Sequence, residues 1–180
     1  MKSIVSVVDW YGPYTLDQAR QAAVDFDDGI YLAIGKQKWK HKVRMQYVGL
    51  ASSLPARLNG AHHKLPLINR DLKIWLGEVA SPRSPGKKVK VTDRMLDLTE
   101  WAHCYFLQLP LNAKKKARPP DRAIMVYNRW WKTDGETACR QRPNRAWPDL
   151  IDYLGQEYPA KLVWFGGRQR VDRVEHFRPG

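Results

Sequence analysis

The sequence predicts an α+β fold, in which short apolar strands alternate with helices within one domain. The chain has 180 residues, and 43% of them are hydrophobic, which is enough to bury a core and too many for a disordered chain. Runs of apolar side chains are separated by clusters of Gly, Pro and Asp, which mark turns between strands and helices.

The N-terminal segment, residues 1–28, is predicted to be an extension that contains one strand and one helix. Alternating apolar side chains predict the strand at 4–8, and a Gly-Pro pair within 10–14 predicts a turn. Thr15 is a candidate N-cap for a helix over 16–26, where apolar side chains recur at helical spacing.

The middle segment, residues 29–131, contains most of the other predicted elements. Short apolar runs predict strands, and a capping Ser or Thr followed by helical periodicity predicts helices. We expect strands at 30–34, 43–48, 72–79 and 123–131, and helices at about 54–64 and 93–109.

The C-terminal segment, residues 132–180, is predicted to be a basic, aromatic α/β extension packed on the middle segment. It should contain a helix at 147–158 and a strand at 162–165. The segment 164–173 mixes aromatic and cationic side chains. Such interleaving suits base stacking with phosphate contacts, and it suits the edge of a tryptophan-rich core equally well.

The charge balance favours a polyanionic partner. The chain has 31 Lys and Arg against 18 Asp and Glu, a formal net charge of +13. Nucleic acid is the first expectation and an anionic membrane surface the second. Lysine-rich loops would contact phosphates without reading sequence. The candidate nucleic-acid-binding residues are Lys36, Lys38, Lys40, Lys42, Lys114, Lys115 and Lys116.

Several protein classes are disfavoured by the sequence. Cys104 and Cys139 make no disulfide framework and have no metal-ligand spacing. The apolar run at 4–8 is too short for a signal-peptide core, and no run approaches the ~18 residues of a membrane helix. We therefore expect a cytoplasmic protein with no membrane partner.

Two of the predicted strands carry a tyrosine beside a glycine. The first motif is Gly-Ile-Tyr at 29–31 and the second is Tyr-Val-Gly at 47–49, with fifteen residues between Tyr31 and Tyr47. Arg57 follows eight residues after the second motif. Further along, a glutamate lies on the helix predicted at 93–109, and a Pro-x-Asn sequence follows that helix.

In this order, the two motifs with Arg57, Glu100 and Asn112 resemble the GIY-YIG nuclease family over roughly residues 29–112. The resemblance implies a central, mainly antiparallel three-stranded sheet flanked by helices. It also implies a divalent-metal-dependent endonuclease that cuts DNA in preference to RNA and leaves a 5′-phosphate and a 3′-hydroxyl. The segment between the motifs is longer than is common in the family, which enlarges the basic hairpin at 35–42.

The resemblance assigns a role to each side chain of the site. Tyr31 would act as general base or orient the attacking water, and Tyr47 would hold the water or the phosphate. A free tyrosine has a pKa near ~10, so a catalytic phenolate needs positive charge nearby, from the hairpin lysines and Arg57. Arg57 would hold the scissile phosphate through its forked donors. Glu100 would be the one protein ligand of Mg²⁺ or Mn²⁺.

Five further residues would support this site. Gly29 and Gly49 would permit tight backbone geometry beside the tyrosines. Asn112 would support the shell around the glutamate or the first strand. One of His62 and His63 could relay a proton or contact phosphate, and a solvated histidine pair fits the sequence at least as well.

Alternatives to this interpretation stay open. A catalytically silent nucleic-acid-binding protein on the same scaffold would bind with strong salt dependence and would not cut. Glu78 on a predicted strand competes with Glu100 as metal ligand. The family includes restriction, repair, mobile-element and toxin nucleases. A toxin would imply an immunity or inhibitor protein as partner, and delivery into a target cell without a visible signal peptide.

Overall fold

One mixed sheet of eight strands forms the centre of the computed structural model, which describes residues 3–26, 28–80, 90–175 and 177–178. The strands are β1 (Ile4–Tyr14), β2 (Gly29–Gln37), β3 (Arg44–Ala51), β4 (Ile68–Ala80), β5 (Ile124–Trp131), β6 (Leu150–Tyr153), β7 (Lys161–Trp164) and β8 (Arg170–Arg173). Their order across the sheet is β3-β2-β4-β1-β5-β6-β7-β8. Paired strands are antiparallel except β1 and β5, which are parallel.

The described helices are short, apart from one that covers a face of the sheet. The α-helices are α1 (Leu16–Ala22), α2 (Leu54–Asn59) and α3 (Asp93–Leu107), and short 3₁₀ helices lie at Ala23–Asp25 and Leu65–Leu67. Each α-helix is capped by a hydroxyl that accepts a backbone N–H, from Thr15, Ser53 and Thr92 respectively. None of the helices in the described part of the chain is long and apolar enough to cross a membrane.

The prediction of a three-stranded sheet flanked by helices is wrong. The three strands expected to form it are neighbours at one end, as β3, β2 and β4, but the sheet continues through five more strands. The reason is β1, which pairs with β4 on one side and with β5 on the other. A hydrophobic pattern indicates that a strand exists and does not indicate its partners, so this extension could not be read from the sequence.

Three predictions of local structure also differ from the observed structure. Residues 10–14 continue β1 instead of turning, with a register shift in this region that accommodates the Gly-Pro pair. The helix expected at 147–158 is absent from the described structure, and β6 takes its place. The α2 helix ends at Asn59, five residues before the predicted end. The described residues after 132 contain three strands and no helix, and the loop predicted at 81–90 lies outside the described residues except for Lys90.

Two clusters of buried apolar side chains lie on opposite faces of the sheet. The larger one packs α3 against β1, β3 and β5, and the smaller one packs α1 and α2 against β2 and β4. Tyr31 and Tyr47 belong to the smaller cluster. The edge strand β3 therefore lies where side chains from both faces meet, and this arrangement positions the candidate site.

Candidate active site

The hydroxyl of Tyr31 connects β2 to the α2 region. Arg57 Nε–H donates to the Tyr31 oxygen at 3.2 Å, and His62 Nε2 lies 2.5 Å from the same oxygen. Arg57 is held in the short helix α2, whose start is fixed by the Ser53 cap. The fold thus brings the tyrosine of the first motif, the arginine and one predicted histidine into direct contact.

The backbone determines which nitrogen of His62 carries the proton. The Nδ1 atom accepts the backbone N–H groups of Lys64 and Leu65, both at 3.1 Å. The single proton of a neutral imidazole must then lie on Nε2, which donates it to Tyr31. Burial, assisted by the positive charge of Arg57, lowers the pKa of His62 to about 4, so this imidazole is neutral at pH 7.

The Tyr31 oxygen therefore accepts two hydrogen bonds, and opposing effects act on its pKa. Burial raises the pKa of Tyr31 above its ordinary value, the nearby Tyr47 adds to the rise, and Arg57 lowers it. Burial is the largest effect because the Tyr31 side chain is fully enclosed. Tyr31 is thus a neutral phenol here, although two aligned donors would stabilise its phenolate once formed.

Both motif glycines are required by close packing. Gly49 lies opposite Tyr31 in the β2–β3 ladder, and a Cβ at Gly49 would be 2.6 Å from the Cζ and Oη atoms of Tyr31. A Cβ at Gly29 would be 2.7 Å from the carbonyl oxygen of Gly77. A side chain at either position would displace the backbone or the Tyr31 ring.

Side chains cover the outward-facing backbone of the edge strand β3. Asn112 Oδ1 accepts the Val48 N–H at 3.0 Å, and Asn112 Nδ2–H donates to the Val48 carbonyl at 2.8 Å. Glu100 Oε1, on α3, accepts the Leu50 N–H at 2.9 Å. The contact with Leu50 places the Glu100 carboxylate beside the strand that carries Tyr47. Together, the contacts of Asn112 and Glu100 also prevent another strand from pairing with β3 at these positions.

A cavity of about 440 Å³ lies between β3, α2, α3 and the loop that follows α3. Tyr47, Arg57 and Glu100 share its wall. The rest of the wall comprises His63, Lys64, Cys104, Leu111, Asn112, Ala113, Lys114 and Lys115. Tyr31 lies behind this wall, with its ring centroid 5.9 Å from that of Tyr47. The phenol that faces the cavity is therefore that of Tyr47.

A larger cavity of about 810 Å³ lies beside the turn after β6. Its wall includes Asp121, Tyr153 and Glu157, and none of the sequence-predicted site residues. Asp121 is already paired with Arg94. The smaller cavity is the better candidate because it gathers a phenol, a guanidinium and a carboxylate, the groups that phosphoryl chemistry uses.

The ammonium of Lys115 lies between two carboxylates of α3. Its Nζ is 2.5 Å from Glu100 Oε2 and 2.6 Å from Asp97 Oδ1. Burial lowers the pKa of Lys115, but the hydrogen bonds to Asp97 and Glu100 outweigh that effect and raise the pKa overall. Both oxygens of Glu100 are therefore engaged, one by the Leu50 N–H and one by a charged lysine.

The same carboxylates are where the predicted divalent metal can be tested against the residues present. The described residues contain no group of three or more His, Cys, Asp or Glu side chains that could hold one. Mg²⁺ needs only one or two carboxylates, because it retains several waters. Glu100 and Asp97 already surround a cation, the Lys115 ammonium. Two carboxylates that share one cation have the donor chemistry that Mg²⁺ prefers, so the predicted role of Glu100 is compatible with the residues around it.

The predicted nucleic-acid-binding lysines divide into exposed and engaged groups. The exposed ones are Lys38, Lys40, Lys42 and Lys114. Lys36 pairs with Asp71 at 2.7 Å, and Lys116 donates to the Leu109 carbonyl at 3.0 Å. Lys115 binds the α3 carboxylates. Lys38 Nζ lies 5.2 Å from the centroid of the Trp39 ring. The exposed lysines can therefore contact phosphates without breaking an ion pair within the described part of the chain.

Asp97, which contacts Lys115 beside Glu100, was not predicted from the sequence as a site residue. A signal was available, since residues three apart on a helix share a face and Asp97 precedes Glu100 by three. Glu78, the competing metal ligand, is exposed on β4 and pairs opposite Asp9, outside the cavity. The structure therefore places Glu100, and not Glu78, beside Tyr47 and Arg57.

The chain was compared with protein-family models, curated proteins and solved structures, and none of them matches it. The chemistry of the cavity must therefore be argued from its own residues.

Proposed function

We propose that this protein is a divalent-metal-dependent endonuclease that hydrolyses phosphodiester bonds, with DNA as the preferred substrate. The observation that carries the proposal is the shared cavity wall of Tyr47, Arg57 and Glu100, with Tyr31 bonded to Arg57 directly behind it. These are the four side chains that the resemblance to GIY-YIG nucleases assigns to catalysis. The net charge of +13 suits a polyanionic substrate.

Arg57 binds the scissile phosphate in this proposal. Its Nε is committed to Tyr31, which leaves the terminal nitrogens to donate into the cavity. The hydrogen bond to Tyr31 also raises the pKa of Arg57, so the guanidinium keeps its charge when a dianionic transition state develops.

The two tyrosines have different roles. Tyr47 lines the cavity and contacts the attacking water. Tyr31 is enclosed, and its oxygen orients Arg57 and His62, whose donors it accepts. Tyr31 becomes the base only when positive charge at the site offsets the effect of its burial on its pKa.

Glu100 would hold Mg²⁺ or Mn²⁺, with Asp97 next to it. When bound, the metal would neutralise charge on the phosphate and on the departing oxygen. Glu100 Oε1 keeps its hydrogen bond from Leu50, which fixes the carboxylate while Oε2 faces the cation position.

The test is cleavage of plasmid DNA, single-stranded DNA and RNA by the purified protein with Mg²⁺, with Mn²⁺ and with chelator. We expect metal-dependent cutting, strongest on DNA. Glu100→Gln should abolish cutting while retaining an acceptor for the Leu50 N–H, and Glu78→Gln is the matched control. Absence of metal-dependent cutting of all three substrates would refute the enzyme assignment.

The second candidate function is a catalytically silent nucleic-acid-binding protein. One observation favours it: Lys115 occupies the cation position on Glu100, as a fixed charge would in a protein that uses no metal. This candidate predicts salt-sensitive DNA binding, no cleavage, and no metal binding even at millimolar concentration.

A further inference from the structure

A second cationic cavity, of about 430 Å³, lies at the end of the sheet remote from the active-site cavity. Arginines dominate its wall, and an aromatic pair, Trp164 and Phe165, completes it together with Gln141. The arginines are Arg140, Arg142, Arg145, Arg168 and Arg170. The wall contains no acidic side chain.

Most of this positive charge is uncompensated. Arg142 Nη2 is 2.6 Å from Asp149 Oδ2, and Arg170 Nε is 3.2 Å from Asp172 Oδ2. Among the described residues, no carboxylate pairs with the other three arginines of the wall. These three side chains are exposed, so their guanidinium groups are available to an external anion.

Phe165 and Tyr127 at this surface are open to solvent, and the backbone of Phe165 is held in place by hydrogen bonds. The Phe165 N–H donates to Asp149 Oδ2 at 2.6 Å, and the Phe165 carbonyl accepts from Arg142 at 2.8 Å. Phe165 remains 44% exposed, and its ring centroid is 6.1 Å from that of Tyr127, which is 37% exposed. Arg170 stacks on Trp164 at 3.6 Å.

We propose that this surface binds a single-stranded segment of nucleic acid, with phosphates on the three unpaired arginines and a base on the Phe165–Tyr127 pair. Free guanidinium groups bind phosphate, and exposed aromatic rings stack bases of any sequence. A duplex has its bases stacked on each other and would leave these two rings without a partner. A site that binds duplex DNA through charge alone would not need an exposed phenylalanine whose backbone is held by hydrogen bonds.

Tyr127 of this surface lies on the same face of the sheet as Tyr31. Tyr31 pairs with Leu76, Leu76 with Tyr11 and Tyr11 with Trp131, and paired residues point to the same face. Tyr127 precedes Trp131 by four residues on β5, so it shares that face.

One nucleic acid strand would have to run along the sheet to reach both sites. Five strand spacings separate β2 from β7, a path of about 24 Å along the sheet at ~4.8 Å each. Occupation of both sites by one strand rests on the proposed nuclease function, whereas the binding surface itself does not.

The test is fluorescence anisotropy with a labelled 12-nucleotide single strand, in chelator so that no cutting occurs. Arg140→Gln/Arg168→Gln should reduce the salt dependence by about 1.4 in the log–log slope, at ~0.7 per phosphate contact. Phe165→Ala should weaken binding roughly tenfold. The control is Arg122→Gln/Lys161→Gln, which removes two exposed charges outside this cavity and should change binding little.

Three outcomes would overturn the proposal. The first is equal loss of affinity in the control and in the arginine double variant. The second is a matched duplex that binds more tightly than the single strand and is equally sensitive to Phe165→Ala. The third is poly-glutamate of equal charge binding as well as the oligonucleotide, which would indicate an acidic protein partner. Since no cleavage is measured, these outcomes do not depend on the nuclease assignment.

Discussion

The ammonium of Lys115 lies 2.5 Å from Glu100 Oε2, so a lysine of the chain occupies the position where the proposed metal would bind. The pair is largely shielded, with 24% of the Lys115 side chain and 15% of the Glu100 side chain exposed. A metal ion must displace this ammonium, or share the carboxylates with it. Lys115 should therefore weaken metal affinity and make it dependent on substrate, whose phosphate could draw the ammonium away.

Replacing Lys115 with Met keeps the aliphatic stem and removes the competing charge. We expect the metal Kd to fall about fivefold, because a shielded surface ion pair is worth about 1 kcal/mol. The measurement is Mn²⁺ titration by calorimetry without substrate. Lys114→Met is the control, since Lys114 is an exposed neighbour outside the carboxylate pair. Weaker metal binding in Lys115→Met would show that the lysine supports the site instead of competing in it.

Gly49→Ala tests the packing of Tyr31 against the second motif. The new Cβ would lie 2.6 Å from Tyr31 Cζ and Oη, which forces the ring away from Arg57. We expect a loss of about 1–3 kcal/mol in the free energy of unfolding, as for overpacked cores, and a loss of DNA cleavage. Chemical denaturation measures the first effect. Gly166→Ala is the control, because a Cβ there meets no atom within 4 Å.

Removing each tyrosine hydroxyl separates the roles proposed for the two motifs. Tyr31→Phe deprives Arg57 and His62 of their shared acceptor, so it should lower both stability, by about 1–3 kcal/mol, and cleavage. Tyr47→Phe should lower the cleavage rate with a smaller change in stability, because Tyr47 lines the cavity whereas Tyr31 is the shared acceptor of two side chains. Thermal unfolding and single-turnover cleavage measure the two effects. Equal stability of both variants would contradict the positioning role of Tyr31.

The sequence predicted local elements better than their assembly. The strands that became β2, β3 and β4 were expected within a few residues of their ends, because their apolar runs are bounded by turn signals. The segment at 147–158 was mistaken for a helix. Its buried side chains, Ile151 and Tyr153, alternate with Leu150 and Asp152. A run of four residues fits both the helical and the strand period, and only pairing with β5 and β7 makes this segment a strand.

For the candidate site too, the sequence predicted the main residues better than the contacts that the fold creates between them. Spacing along the chain and the family resemblance together pointed to Tyr31, Tyr47, Arg57 and Glu100, which the fold brings to one place. The lysine between the carboxylates could not be foreseen, because it reaches Glu100 from 15 residues away through a loop. A sequence reading assigns such a lysine to the surface, since exposure is the usual state of a lysine.

The buried imidazole of His62 predicts a pH dependence of stability. Its pKa falls from 6.5 to about 4 in the folded protein, so the unfolded chain binds more protons between these values. Folding should therefore lose stability as pH falls from about 6.5 towards 4. His62→Gln, which can also donate to Tyr31, should show a smaller loss over this window. Thermal unfolding from pH 7.5 to 4.5 measures it, and parallel curves for both proteins would contradict the role of His62.

The side-chain amide of Asn112 stabilises the outer edge of β3. It satisfies both the N–H and the carbonyl of Val48 on the edge strand, and it is itself buried. Asn112→Ala leaves both groups unpaired, and we expect a loss of about 1–3 kcal/mol for each one that water cannot reach. Urea denaturation measures the loss. The control is Asn69→Ala at an exposed site, whose stability should lie within ~0.5 kcal/mol of wild type.

Asn112→Ala should also affect the carboxylate of Glu100, which accepts the Leu50 N–H further along the same edge of β3. Loosening this edge should move the carboxylate and weaken Mn²⁺ binding. Unchanged metal affinity in a destabilised Asn112→Ala would show that the strand edge and the cation position are independent.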